Sequence, residues 1–181
     1  MAIKNNLFDL TGEVAIVTGG GKGIGKGLAK GLADYGAAVV ILDIDEESGE
    51  KTAEEIKATG GKAAFKKVDV TKFSEVNNVV QEILKEYGKI DILVNNVGTV
   101  IRKDVLETSE EEWDKILTLN LKSHFLCAKA VAPSMIERRK GKIIEIGSVS
   151  SFLAHPKHTA YAASKGGIRM LIKALAQDLS R

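Results

Sequence analysis

Val14-Ala-Ile-Val-Thr-Gly-Gly-Gly-Lys-Gly-Ile-Gly25 reads as a short apolar run that breaks into a glycine-rich turn and restarts as a helix. Glycines at such a junction permit positive φ and let the backbone approach a pyrophosphate, whose charge a helix N-terminus favours. The pattern G-x-G-x-x-G is absent, because Lys26 and Leu28 stand where a third glycine would have to be. What the stretch contains is T-G-x-x-x-G-x-G, with Gly19, Gly23 and Gly25 as the spaced glycines and Gly21, Lys22 and Ile24 between them. A glycine-rich turn without a ligand is the bland alternative; a position directly after the first strand favours the nucleotide site.

Working outward, β-branched apolar runs alternate with helical patterns along the chain. The patterns predict strands over residues 14–18, 38–42, 63–68, 92–94 and 142–146. They predict helices over 24–35, 46–58, 74–87, 109–137 and 160–178. Ser74 is the expected N-cap of the third helix, and Ser109-Glu-Glu-Glu112 places three acids in a first turn. Gly36, Gly60 and Gly88 follow helical segments, where a left-handed residue is wanted. Alternation of this kind, with strands apolar throughout, predicts an α/β doubly wound parallel sheet covered on both faces, as one domain.

Composition excludes several classes. The 181 residues are 44% hydrophobic and 28% charged with a formal net charge of +2, so no basic field points to nucleic acid. No run of about 18 apolar residues occurs, so no membrane span is expected, and the N-terminus lacks the apolar core of a signal peptide. The expected location is cytoplasmic. Cys127, the single cysteine, lies among apolar residues and reads as a buried filler. No metal set is expected, since His155 and His158 have no Cys or carboxylate beside them.

Three further features carry chemistry. Asp43 closes the second strand eighteen residues past Gly25, where a carboxylate accepts from an adenosine ribose and repels a 2′-phosphate. This favours NAD over NADP, with Lys22 pulling weakly the other way. Asp69, followed by Val70, is a candidate for the adenine end, or equally a cap before the next helix. Tyr161 and Lys165 lie four apart on one helix face, thirteen residues after Ser148. A phenol ionises at about pH 10, and an ammonium within reach favours the phenolate, which suits a tyrosine to proton transfer.

These motifs in this order (TGGGKGIG at 18–25, Asp69, NNVG at 95–98, Asn120, Ser148 and YAASK at 161–165) resemble the short-chain dehydrogenase/reductase family from Leu7 onward. The resemblance implies a Rossmann-type sheet in the order 3-2-1-4-5 with NAD or NADP across its carboxyl edge. It implies that Ser148 polarises the substrate oxygen, Tyr161 transfers the proton, and Lys165 favours the phenolate and holds the nicotinamide ribose. Asn120 would anchor a water that extends the proton relay, and Asn95 and Gly98 would line the cofactor cleft. Val97 stands where the family usually has alanine. A typical member runs to roughly 250 residues. The resemblance therefore implies that a further strand, a substrate lid and a final strand lie outside these residues, which would leave the fifth strand as a sheet edge.

Val100-Ile-Arg-Lys103, Ala132-Pro-Ser-Met-Ile136 and Gly141-Lys-Ile-Ile144 are most similar to sugar-acid members, of the gluconate 5-dehydrogenase and 2-deoxygluconate 3-dehydrogenase type. Arg102 could pair with an aldonate carboxylate, and His155 lies in a loop that faces the substrate in this family. The expected activity is interconversion of a small secondary alcohol and a ketone with NAD. The rivals are an NADP-dependent ketoacyl or steroid-type reductase, and a nucleotide-binding or assembly module without turnover. A homo-oligomer paired through helices 109–137 and 160–178 is implied in either case.

Overall fold

Strand β1 (Val14–Thr18) is buried at every position, so it needs cover on both faces, and a parallel sheet provides it. The computed structural model describes residues 7–180. Around β1 stand β2 (Ala38–Asp43), β3 (Lys62–Lys67), β4 (Ile92–Asn95) and β5 (Lys142–Glu145), all parallel, in the order β3-β2-β1-β4-β5. The helices are α1 (Gly23–Asp34), α2 (Glu46–Ala58), α3 (Phe73–Tyr87), α4 (Glu110–Leu117), α5 (Ser123–Glu137) and α6 (Thr159–Leu179).

Strand side chains alternate between faces, and each set finds its own layer. Ile16, Val40, Leu42 and Leu93 pack with Val76, Val80 and Ile83 of α3 and Ala128 and Val131 of α5. Val17, Val39, Ile41, Ile92 and Val94 pack with Ala29 and Ala33 of α1 and Ala53 and Ile56 of α2. Burying each of the valine, leucine and isoleucine side chains contributes about 1.5–3 kcal/mol, and each alanine less. The sheet is thus cored on both sides, as the uninterrupted apolar runs predict. β3 and β5 form its edges.

Two expectations fail. Ser74 is not the N-cap: α3 starts one residue earlier, with Lys72 at the cap position and no side-chain cap bond there. Instead Glu75 reaches back to accept from the Asp69 amide at 3.0 Å. The predicted helix 109–137 is not continuous either. Between α4 and α5 the residues Thr118–Lys122 form one π-helical turn, with the Ser123 amide reaching Thr118. Its wider backbone interrupts α-helical geometry where Asn120 must face inward. The glycine stops hold, with φ of 98° at Gly36, 85° at Gly60 and 76° at Gly88. Ser109 forms a reciprocal cap with Glu112 at the start of α4. Among the described residues no helix is long and apolar enough to cross a membrane.

Asp91, 2% exposed ahead of β4, ties the far end of the sheet together. Its carboxylate accepts from the Val14 amide at 2.9 Å, from Lys89 at 3.2 Å and from the Arg138 guanidinium, which also donates to the Ile90 carbonyl at 3.0 Å. Burial pushes the Asp91 pKa up, but the Val14 amide, Arg138 and Lys89 outweigh it and hold it below 3.8. A depressed folded value stabilises above the unfolded one and is lost as pH falls through the folded value. Asp91→Ala is expected to cost about 2–3 kcal/mol in urea unfolding at neutral pH. The difference from wild type should shrink as the pH is taken below 3.8.

Candidate active site

The sheet order reverses between β1 and β4, and the crevice opens there at the carboxyl ends of the strands. A cleft of about 510 Å³ runs along it, from Gly19, Lys22, Gly23, Ile24 and Gly25 past Asp43, Asp69 and Val70 to Gly98, Tyr161 and Lys165. Eleven sequence-predicted residues therefore share one cavity.

The glycine turn is shaped by contact. Gly19 and Gly23 have φ of 65° and 54°, and a Cβ on Gly25 would stand 2.1 Å from the Gly19 carbonyl. Asn96 fastens the turn to the next crossover, its side-chain amide donating to the carbonyls of Thr18 (3.1 Å) and Gly19 (3.2 Å). Gly21 does not line the cleft, contrary to expectation. It lies beneath, its amide donating to Asp43 Oδ2 at 2.9 Å, while Asp43 Oδ1 accepts from the Asp45 amide at 3.1 Å. Two backbone donors thus fix the Asp43 carboxylate at the cavity wall. The Lys22 ammonium pairs with Asp45 at 2.5 Å, which holds the Asp45 carboxyl down at about 2. Asp69 serves as a turn cap as well as a wall: its Oδ1 accepts from the Thr71 hydroxyl (2.6 Å) and amide (3.0 Å), and the hydroxyl bond leads in lowering its pKa.

At the other end, Lys165 is 4% exposed and donates to the Ile146 carbonyl at 2.7 Å, with its nitrogen 5.9 Å from the Tyr161 ring centre. Burial pushes the ammonium below its ordinary 10.5, and Glu145 opposes the shift. Asn120 is fully buried behind the cavity wall. Its Oδ1 accepts from the Thr99 amide at 2.8 Å, and its amide donates to the Thr99 carbonyl (2.8 Å) and Ser164 hydroxyl (3.1 Å). Both side-chain donors are committed, so any water there must donate to Asn120. Ser148 follows Gly147 of the wall, and its hydroxyl oxygen accepts from the Ser150 amide at 3.1 Å. The hydroxyl proton remains free to donate.

Besides Gly21, Asn120 and Ser148, three more predicted residues do not line the cavity. Asn95 is fully buried behind the cleft, donating to the His124 carbonyl at 3.1 Å and Glu145 Oε1 at 2.8 Å; its neighbour Asn96 lines the cavity. Strand parity is the reason. Leu93 and Asn95 face α3 and α5, whereas Val94 packs with the opposite layer. Counting that alternation from the apolar run would have selected Asn96. Arg102 and His155 are exposed and outside this cavity. Their segments are joined by a parallel bridge between Lys103 and His158, and the His158 ring lies 5.9 Å from that of Tyr161 and 6.0 Å from that of His155. Sequence reasoning passed over His124 and Glu145, a buried pair whose signal was a carboxylate inside the apolar run Lys142-Ile-Ile-Glu-Ile146. Cys127 is buried, and burial pushes its thiol up to about 12. Among the described residues no cluster could hold a metal.

A Rossmann-type crevice with a tyrosine–lysine pair at one end defines a dinucleotide-dependent oxidoreductase of the alcohol dehydrogenase/ketoreductase class. Residues 13–181 match the family described as short chain dehydrogenase, and the chain belongs to it. The 5-keto-D-gluconate 5-reductase of Escherichia coli K12 is 40% identical over 177 residues, covering 98% of this chain and 70% of the relative. A crystal structure of a gluconate 5-dehydrogenase from Burkholderia cenocepacia J2315 in complex with NADP and tartrate superposes with a TM-score of 0.92 at 42% identity, over 96% of this chain and 68% of that one. An NAD+-bound xylitol dehydrogenase gives 0.91 at 33% identity, over 94% and 66%. The chain thus spans about two thirds of the length of these solved relatives.

Burial of Lys165 has a thermodynamic signature. Its folded value lies below the unfolded 10.5, so the charged side chain weakens the fold at neutral pH, and that penalty fades as pH rises through the folded value toward 10.5. The stability of wild type relative to Lys165→Met is expected to climb across this alkaline window, read by urea unfolding at successive pH values. A flat difference would contradict a desolvated ammonium.

Proposed function

We propose that the protein is an NAD(H)-dependent oxidoreductase interconverting a secondary alcohol and a ketone on a sugar acid of the gluconate class. The observation that carries this reading is Tyr161 and Lys165 in the same cavity as the anchored carboxylate of Asp43. The cavity suits a dinucleotide: Gly25 leaves no room for a Cβ against the Gly19 carbonyl, so α1 starts close to the end of β1 and brings its N-terminus to the cleft, and Asp43 stands ready to accept from a ribose.

The cofactor, when bound, supplies or accepts the hydride. The side chains handle the proton and the charge. Ser148 donates its free hydroxyl proton to the substrate oxygen, and Tyr161 delivers or removes the proton at that oxygen. Lys165 supplies positive charge near the phenol and would hold the nicotinamide ribose, and Asn120 would accept from a water that continues the proton path. NAD is preferred because Asp43 repels a 2′-phosphate, while the Lys22 ammonium is engaged by Asp45. The solved relatives bind either nucleotide, so the residues of this chain carry the choice. Gluconate chemistry is supported by the E. coli and Burkholderia relatives, and Arg102, exposed and outside the cleft, is the cation proposed to meet the carboxylate. A second copy is proposed to pack on the apolar groove that Leu117, Leu121 and Phe125 form with Met170 and Leu171 of α6.

NADH formation with gluconate, related aldonates and polyols tests the whole reading. Tyr161→Phe is expected to lower kcat by about 100-fold or more while NADH affinity, followed by fluorescence, stays within about threefold. Asp43→Ser should move the kcat/KM ratio toward NADP by about tenfold, reflecting a lost repulsion of roughly 1.4 kcal/mol. Turnover that survives in Tyr161→Phe would refute the proton-transfer role, and an unmoved ratio in Asp43→Ser would refute the cofactor choice.

A further inference from the structure

Between β4, β5 and α5 lies a pair of ionisable side chains that the proton transfer described above does not use. His124, second in α5, and Glu145, last in β5, have side-chain exposures of 1% and 3%, and Nδ1 meets Oε2 at 2.5 Å. The other ring nitrogen, Nε2, lies 2.7 Å from the Val97 carbonyl. Asn95, paired in register with Glu145, donates one amide hydrogen to Glu145 Oε1 and the other to the His124 carbonyl.

The partners determine where the protons are. A carbonyl only accepts, so Nε2 carries hydrogen. Both Asn95 amide hydrogens are spent on acceptors, so Oε1 is unprotonated. The remaining contact, between Nδ1 and Oε2, is attractive only with one proton on it. The pair is therefore a single hydrogen-bonded unit with one shared proton and no net charge, as its burial requires. Asn95 pays for this arrangement, since its own Oδ1 is buried without a hydrogen-bond partner among the described residues.

A buried ionic pair is weak support for a fold, because well-packed apolar side chains of similar volume often serve as well. The question is what this one holds in place. Through Nε2 it fixes the Val97 carbonyl, one residue before Gly98, and through Glu145 it fixes the backbone one residue before Ile146, whose carbonyl receives Lys165. A Cβ on Gly98 would lie 3.7 Å from the Lys165 nitrogen and 3.3 Å from Asn120 Oδ1. The turns after β4 and after β5 thus converge on Lys165, and the His124–Glu145 pair ties each of them to α5.

The geometry points to His124 and Glu145 as a positioning dyad: it sets the Val97–Gly98 turn and the Ile146 carbonyl at the spacing that holds Lys165 in the cavity. This inference rests on the dinucleotide reading of the cleft. The dyad touches neither substrate nor cofactor and acts through Lys165 and the turn. Hydrogen bonding, and not charge, is its working part. Glutamine at position 145 can donate to Nδ1 and accept from Asn95, preserving both bonds without a carboxylate.

The test compares binding of AMP, which occupies only the adenosine half of the cleft, with binding of NADH, by calorimetry and fluorescence. The proteins are wild type, His124→Phe, Glu145→Ala and Glu145→Gln. AMP affinity is expected within about twofold throughout. NADH should weaken about tenfold in His124→Phe and Glu145→Ala and return to within about threefold of wild type in Glu145→Gln. AMP and NADH weakening together would assign the pair a general structural role and overturn the proposal. So would unchanged NADH binding in the first two variants, or a Glu145→Gln as weak as Glu145→Ala. Should His124→Phe lose its far-ultraviolet helix signal, the two Glu145 variants decide alone; should Glu145→Ala do so as well, a tenfold loss of NADH in Glu145→Gln overturns the proposal and retention supports it. A wild-type protein that binds neither AMP nor NADH would fail the cleft reading itself, a result separate from any difference among variants.

Discussion

A methyl group does not fit between the first turn of α1 and the carbonyl of Gly19. That contact sets how closely the helix approaches the end of β1, and much of the site is built on it. It brings the start of α1 to the cavity, frames the turn that Asn96 stitches to the crossover after β4, and leaves Gly21 beneath the surface, where its amide anchors Asp43. One steric condition on one strand–helix junction thus orders three segments far apart in sequence.

The two ends of the cleft are governed by different physics. At the Asp43 end the carboxylate is oriented by backbone amides, and the neighbouring charges Lys22 and Asp45 are largely solvated, where pairing counts for little in stability. At the Lys165 end the ammonium is withdrawn from water and satisfied by a carbonyl, an arrangement that weakens the fold in exchange for a fixed positive charge. Polar groups behind it are paired nearly to completion: Asn120 with Thr99 and Ser164, His124 with Glu145 and Val97. The result is an Asp43 end flanked by solvated charges and a Lys165 end backed by buried, paired polar groups.

How much of this was legible in the sequence depended on the range of the cause. The glycine turn, the helix stops and Asp43 follow from local rules, and Tyr161 and Lys165 from the pitch of a single helix; all were readable. The choice between Asn95 and Asn96 was also encoded, in the parity of β4, but a motif read as a block concealed it. The π turn at Asn120 was not encoded locally, because Thr-Leu-Asn-Leu-Lys suits an α-helix and only the partners on Thr99 and Ser164 call for the wider backbone. Gly21 misled for a similar reason: a glycine that packs under a turn and one that faces a ligand are indistinguishable until the fold places them. The His124–Glu145 contact joins residues 21 apart across two elements, beyond any spacing rule.

The parallel bridge between Lys103 and His158 couples the segment carrying Arg102 to the loop carrying His155, beside the Tyr161 ring. Two loops joined in this way cannot diversify independently. A change of length or conformation in one drags the other and alters the surroundings of the Tyr161 phenol. On the proposed reading, in which Arg102 and His155 meet the substrate, a new specificity calls for matched changes in both loops, and grafting a single loop from a relative is the less promising route.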